Sequence, residues 1–281
     1  MTKRWMMGAA AATLTVAGAF AAQAADLPTR KEAPAPVFVP PPFTWTGFYV
    51  GLNAGGVWGS GGNATTTAFA LGFPFLATNW PNGQIGQSQS GFLGGGQAGY
   101  NWQTGALVLG VETDLDWTSL SRSRSVIGPA FLLPTVGEQP AVTDFFTATG
   151  KVSLDWLGST RLRVGFVATP DNRLMFYGTG GIAYGGGTAN FSVFDARNGW
   201  FWNSGNNNNS RTGWTIGAGV EYALTNNIIL GGEYLYYDLG NRNLSFIPSP
   251  AATAFFGVPV VSSTKIDFNG SVLRARLSYK F

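Results

Sequence analysis

Residues Ile266–Phe281, IDFNGSVLRARLSYKF, alternate in character along their second half and predict a β-strand with two unlike faces. Leucine, alanine and aromatic side chains take one set of positions, ending at Tyr279 and Phe281, while Arg274 and Arg276 take the other. Side chains of a strand point alternately to opposite faces. A strand that crosses lipid turns apolar side chains outward and can keep charge inside a closed barrel. We therefore interpret this stretch as the strand that closes a transmembrane β-barrel.

The same alternation recurs upstream and predicts eight strands in all. They lie around Phe48–Gly55, Phe92–Gln103, Leu107–Trp117, Lys151–Phe166, Arg173–Tyr184, Trp214–Tyr222, Ile228–Leu239 and Ile266–Phe281. The segment Arg173–Tyr184 is apolar on both faces, so its orientation stays open. We find no window after residue 25 that is apolar over eighteen consecutive residues, so no membrane-spanning helix is predicted.

Short and long connections alternate strictly between these strands. The short ones carry turn residues at Thr104–Gly105, Thr169–Asn172 and Thr225–Asn227. The long ones cover about 59–89, 118–142, 185–212 and 240–265. Outer-membrane barrels place short turns in the periplasm and long loops outside. The sequence therefore predicts an all-β fold, an eight-stranded antiparallel up-and-down barrel with four long outer loops, three short periplasmic turns and both mature termini in the periplasm.

Composition narrows the function further. Charged residues are 11% of the chain, aromatic residues 14%, and 40 of the 281 residues are glycine, an unusual balance for a soluble domain. The absence of Cys and His excludes disulfides, thiolate or imidazole metal sites and Ser–His or Cys–His nucleophiles. Gly94–Gly99 matches G-x-G-x-x-G, but it lies inside an alternating strand with no helix after it. We expect no cofactor, no metal and no enzyme activity.

The amino-terminal region predicts export. Lys3 and Arg4 precede an apolar run that ends in an A-x-A site at Ala22–Ala24, so residues 1–24 are interpreted as a signal peptide. Residues 25–44 are proline-rich and are expected to form an extended periplasmic tether. Residues 45–281 form the predicted barrel. Loss of Lys3 and Arg4 leaves 15 cationic against 14 acidic residues, so the mature protein is nearly neutral and no nucleic-acid partner is expected.

Charged residues at inward positions form the candidate site. Opposite residues of antiparallel strands lie within reach of Arg–carboxylate bonding, so we expect the acids of the third strand to meet the arginines of the fourth, and Glu233 to meet the arginines of the last. The predicted lumenal network comprises Glu112, Asp114, Asp116, Asp155, Arg161, Arg163, Glu221, Glu233, Arg274 and Arg276. Eight strands leave an interior only just wide enough for side chains, which favours a filled lumen over a narrow conducting path.

The outward positions indicate partners. Outward apolar side chains predict contact with outer-membrane lipid, and Arg122 and Arg124, near the base of the second long loop, are candidates for contact with lipopolysaccharide phosphates. Residues Asn206–Asn209 are interpreted as the polar tip of the third long loop. Tyr279 and Phe281 are expected to act as the carboxy-terminal signal for the barrel-assembly machinery. We expect a monomer.

Several stretches resemble a known family. They are similar to the Omp25/Omp31-like outer-membrane proteins of α-proteobacteria, which are OmpA-type barrels. These stretches are Ala25–Pro28 after the signal peptide, FTWTGFYVGLNAGG at Phe43–Gly56, DWLGSTRLRVGF at Asp155–Phe166, GGEYLYYDLG at Gly231–Gly240 and LRARLSYKF at Leu273–Phe281. The resemblance implies an eight-stranded barrel in the cell outer membrane, of a kind often described as porin-like or as a major surface antigen. The broader OmpA-like group often adds a peptidoglycan-binding domain, which is not expected here because the chain ends at the predicted barrel.

The sequence therefore favours an integral outer-membrane barrel that maintains envelope integrity and presents surface loops. A small passive-diffusion porin is the first alternative, and the second is a secreted adhesin or lectin-like β-sandwich.

Overall fold

The computed structural model describes residues 42–61, 65–69, 89–128, 131–133, 142–195, 197–256 and 261–281. The predicted signal peptide, most of the predicted tether and most of the first long connection lie outside these ranges. The elements are β1 Gly47–Gly61, β2 Thr65–Phe69, β3 Gln89–Thr104, β4 Leu107–Ile127, β5 Phe131–Leu133, β6 Val142–Asp144, β7 Thr147–Val167, β8 Leu174–Asp195, β9 Trp200–Ala223, β10 Ile228–Ser245, β11 Ile247–Pro248, α1 Pro250–Phe256 and β12 Val261–Lys280. In the described part of the chain, no helix is long and apolar enough to span a membrane.

Eight of these strands form a closed antiparallel ring. Their order is β1-β3-β4-β7-β8-β9-β10-β12, and β12 pairs back onto β1, with Leu52 opposite Leu277 and Asn53 opposite Arg276. Each strand pairs with its neighbour along the chain, as in an up-and-down barrel. The predicted eight-stranded barrel is confirmed, and the arginine-bearing terminal stretch lies in β12, the strand that closes it.

The alternation of side chains separates a lipid-facing wall from a filled interior. Leu109 and Val164 lie opposite each other on β4 and β7 and are 40% and 55% exposed. Met175 and Tyr177 are buried while Phe176 is exposed, which resolves the orientation of β8 left open by its sequence. Aromatic side chains concentrate towards both ends of the apolar wall, as in the girdles of outer-membrane barrels. The exposed aromatic residues of these girdles include Phe48, Trp58, Phe92, Tyr100, Trp102, Trp117, Phe166, Phe176, Trp214, Tyr222 and Tyr279.

Three tight connections lie at one end of the barrel. They cover residues 105–106, 168–173 and 224–227, so the first is one residue later than predicted. Gly105 and Asn172 adopt left-handed backbone conformations, with φ of 61° and 59°. Glycine and asparagine tolerate this region better than other residues do, which explains their presence in the turns.

The opposite end extends the strands well beyond a bilayer. A membrane strand needs about 9–11 residues, whereas β8 has 22 and β9 has 24. The third long connection is therefore not a loop, because pairing continues from Gly185–Arg211 to Asp195–Trp200. Asn206–Asn209 lie within β9 rather than at a loop tip, so that prediction is wrong. The polar composition suggested a turn, but Asn206 and Asn209 pair with Ala189 and Gly187 of β8, and the strand pairing continues beyond them to Asp195 and Trp200.

The second and fourth long connections also contain regular structure. β4 continues to Ile127, so Arg122 and Arg124 lie on a strand, opposite Val152 and Gly150, and not at the base of a loop. Between β10 and β12, strand β11 pairs with β9, and α1 begins directly after Ser249, whose hydroxyl accepts a hydrogen bond from Ala252 N at 3.3 Å. A serine in this position caps the free N–H groups of the first helical turn.

The lipid-facing assignment makes a direct prediction. Leu162, which is 69% exposed, lies in the middle of the apolar wall, and Leu162→Arg is expected to lower the free energy of unfolding by about 2–4 kcal/mol. The matched control is Leu224→Arg, because Leu224 is 53% exposed but lies in a short turn. The control is expected to change that free energy by less than about 1 kcal/mol. Urea unfolding in lipid vesicles measures both, and equal losses would show that Leu162 does not face lipid.

Candidate functional site

A cluster of charged side chains fills the centre of the barrel. It joins residues from β4, β7, β9, β10 and β12, and the side chains of its ion pairs are between 0% and 4% exposed. This lumenal charge cluster consists of Glu112, Asp114, Asp116, Arg161, Arg163, Glu221, Glu233, Arg274 and Arg276. These are nine of the ten residues predicted for the site.

Glu112 is one hub of the cluster. Arg161 Nη2 lies 2.7 Å from its Oε1, and Arg163 Nη1 lies 3.1 Å from its Oε2. Arg276 also bonds Oε2, and the hydroxyl of Tyr49 donates a hydrogen bond to the same oxygen at 2.6 Å. Three guanidinium partners and a phenol give this buried carboxylate the pairing that burial of a charge requires.

Glu233 is the second hub. Arg161 Nη1 and Arg276 Nη1 each lie 2.9 Å from its Oε1, and Arg274 Nη2 lies 2.6 Å from its Oε2. Tyr177 donates a hydrogen bond to Oε1 at 3.0 Å. Arg161 and Arg276 therefore bind both hubs, so that β4, β7, β10 and β12 are joined through the interior as well as through the wall.

The remaining acids lie at the edges of the cluster. Asp114 is 2.7 Å from Arg161 and 3.0 Å from Arg274, while Asp116 is 2.6 Å from Arg274. Glu221 is 2.8 Å from Arg163. The register places Glu112 opposite Arg161 and Glu233 opposite Arg274, as the alternation of neighbouring strands predicts.

Contacts across the lumen were not predicted. Arg274 on β12 reaches Asp114 and Asp116 on β4, and Arg276 reaches Glu112, although these strands are not neighbours. The separation of facing walls depends on the barrel radius, which the pattern of one strand does not encode. Pairing along neighbouring strands was therefore accessible from sequence, and pairing across the barrel was not.

Two tyrosines of the site were also missed. Arg163 lies over the ring of Tyr177, 4.0 Å from its centroid, and 5.6 Å from that of Tyr49, in addition to donating to the Tyr49 hydroxyl at 2.6 Å. A Cβ atom at Gly99 or Gly219 would overlap the hydroxyl of Tyr49 or Tyr177, so glycine is required beside each tyrosine. The available signal was the inward position of Tyr49 beside a glycine-rich strand.

Asp155 does not belong to the cluster, so its assignment is wrong. Its side chain is exposed, whereas the neighbouring Leu154 is buried. The pairing of β7 with β8 shifts register between Val152 and Trp156, where a bulge interrupts strict alternation. Extrapolating a period of two through this bulge put Asp155 on the wrong side.

An apolar layer closes the turn end of the lumen. Phe43, which the sequence assigns to the tether, is 5% exposed and packs edge-to-face on the fully buried Trp45, with ring centroids 5.1 Å apart. Trp45 Nε1 donates a hydrogen bond to Asn172 O at 2.8 Å, and Trp45 N donates to Gln103 Oε1 at 2.8 Å. This turn-end layer comprises Phe43, Trp45, Val108, Val167, Met175, Tyr177, Ala223 and Ile229.

A second apolar layer closes the other side of the charge cluster. This outer layer comprises Val57, Leu93, Leu120, Leu154, Leu157, Ala183, Leu235, Tyr237, Leu239 and Val272. A cavity of only about 10 Å³ lies between it and the cluster, bordered by Asp116, Ser159, Thr215 and Arg274 among others. The charges therefore lie between two apolar layers in a filled interior.

Tyr279 and Phe281 lie at the turn end of the wall, outside the lumen. They are 50% and 69% exposed, and their rings meet edge-to-face with centroids 5.3 Å apart. Phe281 N donates a hydrogen bond to Phe48 O at 3.0 Å, which ties the last residue to β1.

Known proteins share this sequence pattern. The family model for the outer membrane protein beta-barrel domain matches residues 12–281. The chain is 34% identical to the 31 kDa outer-membrane immunogenic protein of Brucella melitensis, over 96% of this chain and 98% of that protein. It is 29% identical to the 22 kDa outer membrane protein of Rhizobium leguminosarum, over 76% of this chain and 71% of that protein.

Among solved structures, the outer membrane protein OprG from Pseudomonas aeruginosa is similar with a TM-score of 0.43 and 14% identity, over 85% of this chain and 98% of that chain. The match of the family model across nearly the entire chain, together with the extended similarity to the Brucella protein, shows that the chain belongs to the outer-membrane β-barrel protein family and is a protein of the outer membrane.

Proposed function

We propose that this protein is a structural, non-catalytic component of the outer membrane whose lumen is closed. In this role it contributes to envelope integrity and presents its long outer hairpins at the cell surface. The observation that carries the proposal is the lumenal charge cluster, whose ion-paired side chains are at most 4% exposed and lie between two apolar layers.

A conducting pore requires a continuous path lined by hydrated groups. Here Arg161, Arg276 and Glu233 meet at the centre of the lumen at distances of 2.9 Å, which leaves no room for an ion between them. Trp45 and Phe43 occupy the turn end of the same path. These contacts support a closed barrel over the alternative of a small passive-diffusion porin.

The proposed partners follow from the outer surface. The wall offers apolar side chains to lipid between two sets of aromatic residues. Arg124 is partly exposed on the extended part of β4 and supports a proposed contact with lipopolysaccharide phosphates, since Arg suits bidentate binding of phosphate. The ring closes all eight strands without a second copy, which supports a monomer.

The proposed assembly signal is the carboxy-terminal aromatic pair. Tyr279 and Phe281 are exposed on the lipid-facing side at the turn end, where both side chains are accessible to a binding protein. We propose that they present β12 to the barrel-assembly machinery.

Planar-bilayer recording of the refolded wild-type protein tests the closed lumen. We expect no stable ohmic current steps, because the charge cluster and the turn-end layer both obstruct the path. Incorporation is verified separately by protease protection of the reconstituted barrel. Reproducible ohmic steps from the wild type would reject the closed barrel and establish the porin alternative.

A further inference from the structure

The lumenal charge cluster is not electrically balanced. It holds five carboxylates, Glu112, Asp114, Asp116, Glu221 and Glu233, against four guanidinium groups, Arg161, Arg163, Arg274 and Arg276. Its formal charge is therefore −1 when every group is ionised. An uncompensated charge in an interior that excludes water is strongly unfavourable. Neutrality within the cluster requires one additional positive charge, since the buried Lys280 lies six residues beyond Arg274, with its Nζ 5.5 Å from the centroid of the Phe43 ring at the turn end of the lumen.

Asp116 is the carboxylate of the cluster that lacks positive charge around it. Glu112 and Glu233 each contact three arginines, whereas Asp116 forms an ion pair in the cluster with Arg274 alone. Arg274 is itself shared with Asp114 and Glu233. The other carboxylate oxygen of Asp116, Oδ1, is buried and has no hydrogen-bond partner among the described residues.

The neighbouring strands add a second buried acceptor that has no hydrogen-bond partner. Asn53 and Asp116 are both opposite Gly95, one from each side, so their side chains lie at the same level of the lumen. The Asn53 amide hydrogen-bonds the Asp116 carboxylate, and its Nδ2 also donates to Gln97 Oε1 at 3.1 Å, while its own Oδ1 is buried without a hydrogen-bond partner. Two unsatisfied acceptor oxygens beside one excess negative charge favour an occupant that brings positive charge.

The space available is that of a very small occupant. Asp116 borders the cavity of about 10 Å³, together with Asp114 on its own strand, Ser159 on β7, Thr215 on β9, Tyr237 on β10 and Arg274 on β12. That volume accommodates about one water-sized species. Because the excess is a single negative charge, one monovalent positive charge is enough to balance it.

We propose that Asp116 is the binding site for one monovalent positive charge, supplied by a proton or by a sodium ion, which neutralises the lumenal charge cluster. This inference rests on the closed lumen of the proposed function, because bulk ions would screen the excess charge in an open pore. Since the charge is bound in the folded state and released on unfolding, the folded state gains stability as the concentration of the bound species rises.

Urea unfolding in lipid vesicles tests the site, with wild type and Asp116→Asn compared. In the first arm, NaCl replaces choline chloride at constant ionic strength and constant pH. In the second, pH is lowered from 8 to 5 in choline chloride alone. A tenfold rise in the concentration of the bound species is expected to increase the folding equilibrium constant of the wild type by up to about tenfold more than that of Asp116→Asn. This difference is expected in one of the two arms.

The control variant changes a carboxylate outside the lumenal charge cluster. Asp155→Asn removes an exposed carboxylate and is expected to keep the wild-type dependence. A sodium-specific gain identifies a bound cation, and a gain only at lower pH identifies a bound proton. If Asp116→Asn does not fold, Glu221→Gln, which also leaves four acids against four arginines, is measured with the same expectation.

The inference would be overturned if the stability of the wild type and that of Asp116→Asn depended in the same way on sodium concentration and on pH. That result differs from failure of the closed lumen, which would appear as ohmic current and as a stability that follows ionic strength whichever cation is present.

Discussion

Replacing Arg161 and Arg163 together by glutamine is expected to lower the free energy of unfolding by about 3–5 kcal/mol, the loss typical when one partner of a buried ion pair is removed. The two substitutions leave Glu112 with Arg276 as its single arginine partner, and they remove the 2.8 Å contact between Arg163 and Glu221. Five carboxylates then face two arginines in a closed interior, instead of four. Urea unfolding in lipid vesicles measures the loss.

Compensation distinguishes this mechanism from a simple packing defect. Glu112→Gln with Asp114→Asn, introduced into the arginine variant, removes the two acids that Arg161 bonds on β4. We expect partial recovery beyond the sum of the separate effects, because the substituted residues are in contact and their energies couple. Lys151→Gln, at an exposed cation of β7, is the matched control and should be close to neutral. Wild-type stability in the arginine variant would mean that water already screens the cluster.

The barrel and its two faces were predictable because a strand carries a strict period of two. The alternation of their strands predicts outward positions for Leu109 and Val164 and an inward position for Gln97, and the exposure of these side chains agrees. The closing role of the last strand followed from the same rule. Tight turns were identifiable because the residues that suit left-handed backbone, such as Gly105 and Asn172, appear in them.

Departures from the two-residue alternation explain the wrong assignment of Asp155. Register shifts occur near Trp117, Val152 and Asp238, where the strands leave the apolar wall. At the last of these, Gly240 has a φ of 77° and its N–H donates to Asp238 Oδ1 at 2.8 Å, a local bulge that strand alternation does not anticipate. Beyond such points, inward and outward positions exchange, as Leu154 demonstrates.

Contacts that depend on three-dimensional closure were also beyond the sequence. The pair between Arg274 and Asp116 joins residues on opposite walls, so it depends on the barrel radius and on the stagger of all eight strands. The burial of Phe43 depends on the chain turning back into the lumen before β1 begins. A proline-rich neighbourhood gives no indication of that reversal, because its composition is typical of a solvated spacer.

Trp45→Ala is expected to lower the free energy of unfolding by about 3–5 kcal/mol, the usual range when a buried tryptophan is truncated. The indole is fully buried in the turn-end layer, and its removal leaves Asn172 O without the 2.8 Å hydrogen bond from Trp45 Nε1. Trp45→Phe restores most of the apolar contact but not the N–H donor, so we expect a loss of about 1–3 kcal/mol for that variant.

The Trp45 variants also test whether Trp45 blocks the lumen or only holds the segment before β1 in place. If Trp45 only fills the turn end, the charge cluster still blocks the lumen, and Trp45→Ala should remain without ohmic steps in planar bilayers despite its lower stability. Trp102→Ala is the matched control, because Trp102 is 57% exposed on the outer wall near the same end and should cost less stability. A variant Trp45→Ala as stable as wild type would show that the segment before β1 does not pack in the lumen. Steady current from that variant would instead place the barrier at Trp45, since the charge cluster behind it remains intact.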